Sequence, residues 1–317
     1  MKILLTADWH IRGDRPRCRT DENWIESQRE DIEAVEKIAR EHNVAAVWIL
    51  GDLFHQPRCA TEAVNMVLGA LNRIREACPV RILPGNHDLP YHDFDNINAC
   101  SLGIVYQAGY EMLRTDNGNP EEALPELALR KGAPRTIYAT PFGREDMEGL
   151  REFNNEIWAT HQLTFPSDKD RPVEGVGVTA EDLLKAAPNV RVILTGDYHH
   201  GYIYNQGNRR VITPGCLNIQ VADMADYKPR VYILDTDTLE VDEVLIDGHK
   251  GDIVTDYLVT EKERDERMEK VLSVIGDSEG VSLSFPDNLE KEIAKPEYRS
   301  ARSVYPELLD TLNKDRK

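Results

Sequence analysis

Through the first third of the chain, short unbroken apolar runs alternate with stretches whose apolar positions recur every three or four residues. "KILLTA" at 2–7 has the length and density of a buried strand, and "WIESQREDIEAVEKIAREH" at 24–42 places Ile25, Ile32, Val35 and Ile38 on one helical stripe. "VAAVWIL" at 44–50 reads as a second strand, 60–78 as a second helix with Thr61 as its N-cap, and "VRILP" at 80–84 as a third strand. Strand and helix in strict alternation predict an α/β domain of stacked layers.

Beyond residue 110 the pattern shortens and turns β-rich. Strands are predicted at 135–140, 156–161, 190–196, 209–215, 230–236 and 239–246, with a turn-rich loop over 111–134 that carries "TDNGNPEEALPE". From about 250 the period returns to that of helices. Met268, Val271, Leu272 and Ile275 form one stripe closed by Gly276, and Val304, Leu308 and Leu312 form another. The reading is therefore a main domain over 1–249 and a small helical C-terminal extension over 250–317.

Composition narrows this picture. With 317 residues, 41% of them apolar, the chain can bury a real core. Its longest apolar run is far short of a membrane span and its start lacks a signal-peptide core, so a cytoplasmic protein with no membrane partner is expected. The five cysteines are scattered with no C-x-x-C pair, which suggests neither a disulfide framework nor a zinc ribbon. A formal net charge of −18 argues against a broad basic face that grips nucleic acid unaided.

The chemistry-bearing residues gather where predicted strands end. Asp8 and His10 follow the first strand, two apart, so that their side chains leave an extended chain on one face. Asp52 and His55 follow the second strand, and Asn86, His87 and Asp88 the third. His161 follows a fourth, and Asp197, His199 and His200 follow a fifth. Taken singly, each has a structural reading: Asp8 as a turn cap, His161 as a satisfied core histidine, Asn86 as a turn residue. Repetition at five strand ends instead aims oxygen and nitrogen ligands at one point beyond the sheet edge.

The ordered set D-x-H, G-D-x-x-H, G-N-H-D, a lone His and G-x-x-H resembles the calcineurin-like metallophosphoesterases across residues 1–246. Within them "ADWHIR", "GDLFH", "PGNHD", "THQ" and "TPGC" are similar to SbcD-type exonucleases of DNA repair, phage-encoded forms included. The resemblance implies a two-layer β-sandwich of mixed sheets flanked by helices. It implies one metal on Asp8, His10, Asp52 and His199, and a second on Asp52, Asn86, His161 and Asp197, with Asp52 bridging. Carboxylates, imidazoles and an amide without thiolate suit Mn²⁺, and also accept Fe, Zn or Mg²⁺. The chain departs from the family's G-H-x-H in having Asp197 at the first His position. His200 is then an extra residue, exposed or facing substrate.

The same resemblance implies a hydroxide bridging the metals, with His87 as a catalytic residue assisting the leaving group, Asp88 orienting the His87 ring, and His55 positioning the phosphate or tying down its loop. A DNA exonuclease or endonuclease acting in repair, recombination or phage DNA metabolism is the leading expectation. A phosphodiesterase or phosphatase on a small nucleotide or other phosphoester shares every ligand and suits the acidic surface better. No P-loop motif is present, so a partner SMC-type ATPase of the SbcC kind is expected to supply power, with the helices at 260–275 and 303–314 either docking it or packing back as a reduced cap. A homodimer is a further family expectation.

Overall fold

The computed structural model describes residues 1–115, 124, 137–143, 156–172, 176–247 and 253–254. The expected loop over 111–134 lies mostly outside this set, as do both helical stripes of the C-terminal extension. All described residues belong to one unit, Met1–Val254.

The chain opens with β1 (Lys2–Thr6), α1 (Trp24–Glu41), β2 (Ala46–Leu50), α2 (Thr61–Arg75) and β3 (Val80–Leu83). Then come α3 (Ser101–Gln107), β4 (Glu111–Met112), β5 (Ile137–Thr140), β6 (Ile157–Thr160), β7 (Thr164–Phe165), β8 (Val178–Thr179) and α4 (Ala180–Ala186). β9 (Val192–Leu194), β10 (Tyr202–Gln206), β11 (Arg209–Thr213), β12 (Arg230–Asp235) and β13 (Val241–Leu245) complete the described elements. One six-stranded sheet runs β13-β12-β1-β2-β3-β4, a five-stranded sheet runs β10-β11-β9-β6-β5, and β7 pairs with β8. β1, β2 and β3 are parallel, while β12 returns antiparallel to β1, so the larger sheet is mixed.

Strand alternation explains the layering. Leu4, Val47, Ile49 and Ile82 pack with the α1 and α2 residues Ile32, Val35, Val67 and Leu71 in one cluster. Their neighbours Ile3, Leu5, Trp48, Leu50 and Leu83 point the other way and join Ile157, Ala159, Val192 and Leu194 of the second sheet. Residues of that second sheet facing outward, Trp158, Ile193 and Val211, are covered by Leu183 and Leu184 of α4. The order is thus helices, sheet, sheet, helix, the expected sandwich of mixed sheets flanked by helices. Burying both faces requires the near-continuous apolar strands that the sequence displays.

One local reading is corrected. Thr61 is the first helical residue of α2, not its cap: Ala60 occupies the N-cap and no side chain caps it. α1 does have a side-chain cap, Asn23, whose carboxamide oxygen accepts from Glu26 N at 3.2 Å. At the far end of the described chain, Val254 N donates to Cys18 O at 2.8 Å, so these residues pair with the main unit.

Candidate metal centre

β1, β2 and β3 lie side by side and parallel, so their C-terminal ends emerge together. Pairing continues past the strands: Asp8 N donates to Gly51 O and His10 N to Asp52 O, both at 3.0 Å, and His55 N donates to Ile11 O at 3.1 Å. This zipped pair of loops holds several residues in backbone conformations that side chains rarely adopt. Asp8, His10 and Asp52 have φ of 50°, 46° and 51°, and Asp197 on the β9 loop has φ of 70°. Each such residue costs on the order of 1–3 kcal/mol, and strain of this kind persists where surrounding structure over-determines it.

The side chains converge. Atoms able to ligate a metal lie within 4.8 Å of one another in the sets Asp8–His10–His199, Asp8–Asp52–His161 and His10–His55–His87. His10 Nε2 is 2.9 Å from His199 Nε2, and Asp52 Oδ2 is 3.6 Å from His10 Nε2 and 3.3 Å from His161 Nε2. Asn86 joins through Oδ1, 3.0 Å from His161 Nε2. Asp197 is held differently: its backbone N–H donates to both oxygens of Asp8 at 3.1 Å.

The donor chemistry tests whether a cation fits. His161 Nδ1–H donates to Leu50 O at 2.8 Å, so Nε2 is the nitrogen that faces the Asp52 carboxylate and Asn86 Oδ1. Two oxygens aimed at one imidazole nitrogen call for positive charge between them, a proton on Nε2 or a metal ion. Turned about its amide, Asn86 would donate to Asp52 Oδ2 at 3.1 Å and His161 Nε2 at 3.0 Å. With oxygen inward the cluster needs a cation, and the oxygen- and imidazole-rich set suits a divalent one. His10 Nδ1 is buried without a hydrogen-bond partner.

The titration behaviour follows from burying Asp8 and Asp52 together beside the half-buried Asp197. Burial raises Asp8 well above the usual carboxylate range, with Asp52 and Asp197 adding to it against the opposing pull of His161. At His161 burial works downward, but Asp52, by charge and hydrogen bond, and then Asp8 and Asp197 outweigh it and hold the imidazole well above its ordinary value. Burial lowers both His10 and His199. A divalent cation would take the place of the proton that Asp52 draws onto His161.

Three glycines make the close approach achievable. A Cβ on Gly85 would sit 2.1 Å from Asp52 Oδ1, and one on Gly51 2.0 Å from His161 Nδ1. At Gly196 it would meet Leu50 O at 2.3 Å and His161 Nδ1 at 2.4 Å.

His87 stands beside the carboxylate cluster. Its backbone N–H donates to Asp52 Oδ1 at 2.9 Å, and its ring Nδ1–H donates to His55 O at 2.8 Å. That leaves Nε2 as the free end. The expectation that Asp88 orients this ring is corrected: His55 O does so. Asp88, fully buried, accepts from Phe54 N (2.9 Å), Leu53 N (3.3 Å) and Gly85 N (3.0 Å), lashing the β2 loop to the β3 loop. Burial, with the Asp52 charge adding to it, pushes the Asp88 carboxyl up to about 7 despite those donors.

His55 stacks near His87, with ring centroids 5.6 Å apart, and its Nε2 accepts from Arg12 Nη1 at 2.9 Å. Burial, Arg12 and His87 together lower His55 to about 4. A guanidinium in this place argues against a metal on the His10–His55–His87 set, because two cations would share one imidazole.

Sequence reading missed the supports behind the first loop. Gln28 and Arg12 exchange hydrogen bonds, Arg12 N to Gln28 Oε1 at 3.0 Å and Gln28 Nε2 to Arg12 O at 2.9 Å. From the segment after β11, Asn218 Nδ2 donates to Trp9 O at 2.8 Å and Gln220 Nε2 to His10 O at 2.6 Å. His200 is exposed, its ring 5.5 Å from that of Tyr198.

A family model described as calcineurin-like phosphoesterase matches residues 1–201. The chain belongs to the calcineurin-like phosphoesterase family. Its membership brings phosphoester hydrolysis with a dimetal centre, to which the Asp, His and Asn cluster corresponds in chemistry. Solved structures similar to this phosphoesterase include a protein of Thermus thermophilus, at 14% identity over 77% of this chain and 98% of that one, with a TM-score of 0.44. An archaeal phosphodiesterase matches at 15% identity over 77% and 99%, with a TM-score of 0.40. A dimetal phosphatase from Danio rerio matches at 13% identity over 78% and 99%, with a TM-score of 0.45. Among the described residues of the phosphoesterase, no helix is long and apolar enough to cross a membrane.

Proposed function

We propose that this phosphoesterase hydrolyses phosphodiesters of DNA, as a Mn²⁺-dependent exonuclease or endonuclease similar to the SbcD type, in DNA repair, recombination or phage DNA metabolism. The observation that carries hydrolysis is the inward convergence of Asp8, His10, Asp52, His161 and His199, whose ligating atoms lie within 4.8 Å of one another in two sets that share Asp8, with Asn86 beside His161. The SbcD-like local sequences at Asp8–His10, Asp52–His55, Asn86–Asp88, His161 and Pro214–Cys216 support DNA as the substrate.

Asp8, His10, Asp52 and His199 would hold one ion, and Asp52, Asn86, His161 and Asp197 the other. When bound, such a pair lowers the pKa of a water and draws charge from the phosphate oxygens. The chain's own residues then orient and transfer. With Nδ1–H committed to His55 O, a protonated His87 has only Nε2–H to give to a leaving oxygen. Asp88 keeps His87 and Asp52 in fixed relation through the two loops it joins.

Within this reading the protein is cytoplasmic, residues 250–317 are the extension that docks a partner or caps the core, and an SMC-type ATPase supplies the DNA grip that a chain of net charge −18 lacks. A homodimer is part of the same proposal. That acidic balance favours a second reading, hydrolysis of a small nucleotide diester or another phosphoester, which needs no extended basic surface.

End-labelled single- and double-stranded DNA incubated with the Mn²⁺-loaded protein tests the proposal, with bis-p-nitrophenyl phosphate in parallel. DNA degradation is expected, abolished by chelator and reduced at least about 100-fold in His87→Asn. Turnover of the small diester without attack on DNA would favour the second reading. Undiminished degradation by Asp52→Ala would remove the site assignment.

A further inference from the structure

Between the segments that follow His55 and Asp88 lies a shallow cleft of about 330 Å³, lined by Gln56, Pro57, Arg58, Pro90 and Tyr91. That volume is at the lower end of small-molecule sites. Both walls grow directly out of the catalytic loops. Gln56 follows His55, whose carbonyl holds the His87 ring, and Pro90 and Tyr91 follow the Asn86–Asp88 turn.

Tyr91 is unusual in two independent respects. Its side chain is 93% exposed, so burial contributes nothing to keeping an aromatic ring there. Its backbone is also left-handed, with φ 58° and ψ 21°, and His92 follows at φ 55°. A bulky residue with positive φ is held by its surroundings. The restraints are visible: Leu89 N donates to Asn86 O at 3.3 Å, His92 Nδ1–H donates to the same oxygen at 3.0 Å, and His92 N donates to Leu89 O at 3.1 Å. The opposite wall is fixed as well, since Ser101 N donates to Pro57 O at 2.7 Å and Cys59 N to Ser101 Oγ at 2.9 Å.

The fold therefore spends backbone strain on presenting a phenol ring to solvent, across a cleft from a guanidinium, a few residues from Asn86 and His87. An occupant of that cleft rests on the two loops that also carry His55, Asn86 and His87. An aromatic face paired with an arginine suits a flat heteroaromatic ring, which stacks on either. We propose that Tyr91 and Arg58 form a nucleobase subsite, receiving the base of a nucleotide next to the scissile phosphate.

This deepens the reading of the centre as a hydrolase of nucleic-acid or nucleotide phosphodiesters, and rests on it. Stacking alone tolerates any base, so the subsite would set position on the strand without choosing sequence.

The test measures, by calorimetry on the full-length Mn²⁺-loaded protein, binding of 2′-deoxyadenosine 5′-monophosphate and of 2-deoxyribose 5-phosphate, which lacks the base. The wild type is expected to bind the nucleotide roughly five- to tenfold more tightly. Tyr91→Ala should level the two ligands, and Tyr91→Phe should keep the difference. Because Tyr91 is exposed, both variants should melt with the wild type. Equal affinity in the wild type, no binding of either ligand, or a base preference surviving in Tyr91→Ala overturns the subsite. Hydrolysis of methyl p-nitrophenyl phosphate by the same samples reports on the centre separately: its loss in the wild type would remove the hydrolase reading, and its persistence in Tyr91→Ala is expected.

Discussion

Asn86 Oδ1 and His161 Nε2 face each other at 3.0 Å, and because His161 Nδ1–H donates to Leu50 O, Nε2 is the end that a proton or a metal ion must occupy. Beside the Asp52 carboxylate, an amide oxygen and an imidazole nitrogen are a ligand shell in their donor chemistry. Loading with a divalent ion should fix the amide with its oxygen inward.

Titration with Mn²⁺ is accordingly expected to show two ions per chain, and chelation to lower the melting temperature, since a ligand bound only by the folded state stabilises it. Asn86→Ala should weaken one of the two binding events by roughly tenfold or more and leave the other, made by Asp8, His10 and His199, nearly unchanged. Identical isotherms for variant and wild type would contradict the arrangement.

Gly85→Ala and Gly196→Ala provide a steric check. The added methyls would stand 2.1 Å from Asp52 Oδ1 and 2.3 Å from the backbone oxygen of Leu50. Neither neighbour can swing away, because Asp52 also accepts from His87 N at 2.9 Å and Leu50 is in a central strand. A loss of about 1–3 kcal/mol, or more, is expected in urea unfolding, together with weakened metal binding. Gly207→Ala reverses the case, with positive φ but nothing within 4 Å of the new methyl, whereas Gly85 and Gly196 have the clash without positive φ; it should cost less than either.

Asp197 occupies the position where the family usually has histidine, on a β9 loop whose backbone N–H grips Asp8. A carboxylate there favours harder ions. Asp197→His should shift preference from Mn²⁺ toward Zn²⁺, measured as the ratio of the two affinities in competition with a metallochromic dye. An unchanged ratio would mean that this side chain does not reach the ion.

The Arg19–Asp21 pair supplies a pH signature away from the metal centre. Arg19 Nε and Nη2 fork onto Asp21 at 2.7 and 2.9 Å. Burial pushes the Asp21 carboxyl upward, but the Arg19 hydrogen bond, the Ser27 hydroxyl and the Arg19 charge outweigh it and hold the group at about 2. A depressed carboxyl contributes stability above its unfolded value of 3.8, and that contribution is lost as pH falls toward about 2. The urea midpoint of Asp21→Asn should lie below that of wild type at pH 6, and the gap should narrow by pH 3. A gap independent of pH would assign the effect to packing.

Much of the fold was legible because both faces of its central strands are buried. Unbroken runs such as that of Ala46–Leu50 have few other readings when a helical period follows. α3, α4 and β10 escaped because they are short or half exposed, so their apolar positions never build a repeat. At the centre, strand ends marked where Asp8, Asp52, Asn86 and His161 would meet. The supports did not show: Gln28, Asn218 and Gln220 act on backbone carbonyls through side-chain amides, and nothing local in the sequence distinguishes such a glutamine or asparagine from a surface one. Asp88 misled for a related reason. Sitting next to His87 in sequence, it suggested a side-chain partner, whereas its oxygens are taken by three main-chain donors.

The knot tied by Asp88 has a mechanical corollary. Because the loop that bears Asp52 and His55 and the turn that bears Asn86 and His87 share one buried anchor, neither can yield to an incoming molecule while the other stays put. Adaptation to different substrates is thereby displaced from the cage to its margin, where residues can be exchanged without loosening the cations' seat.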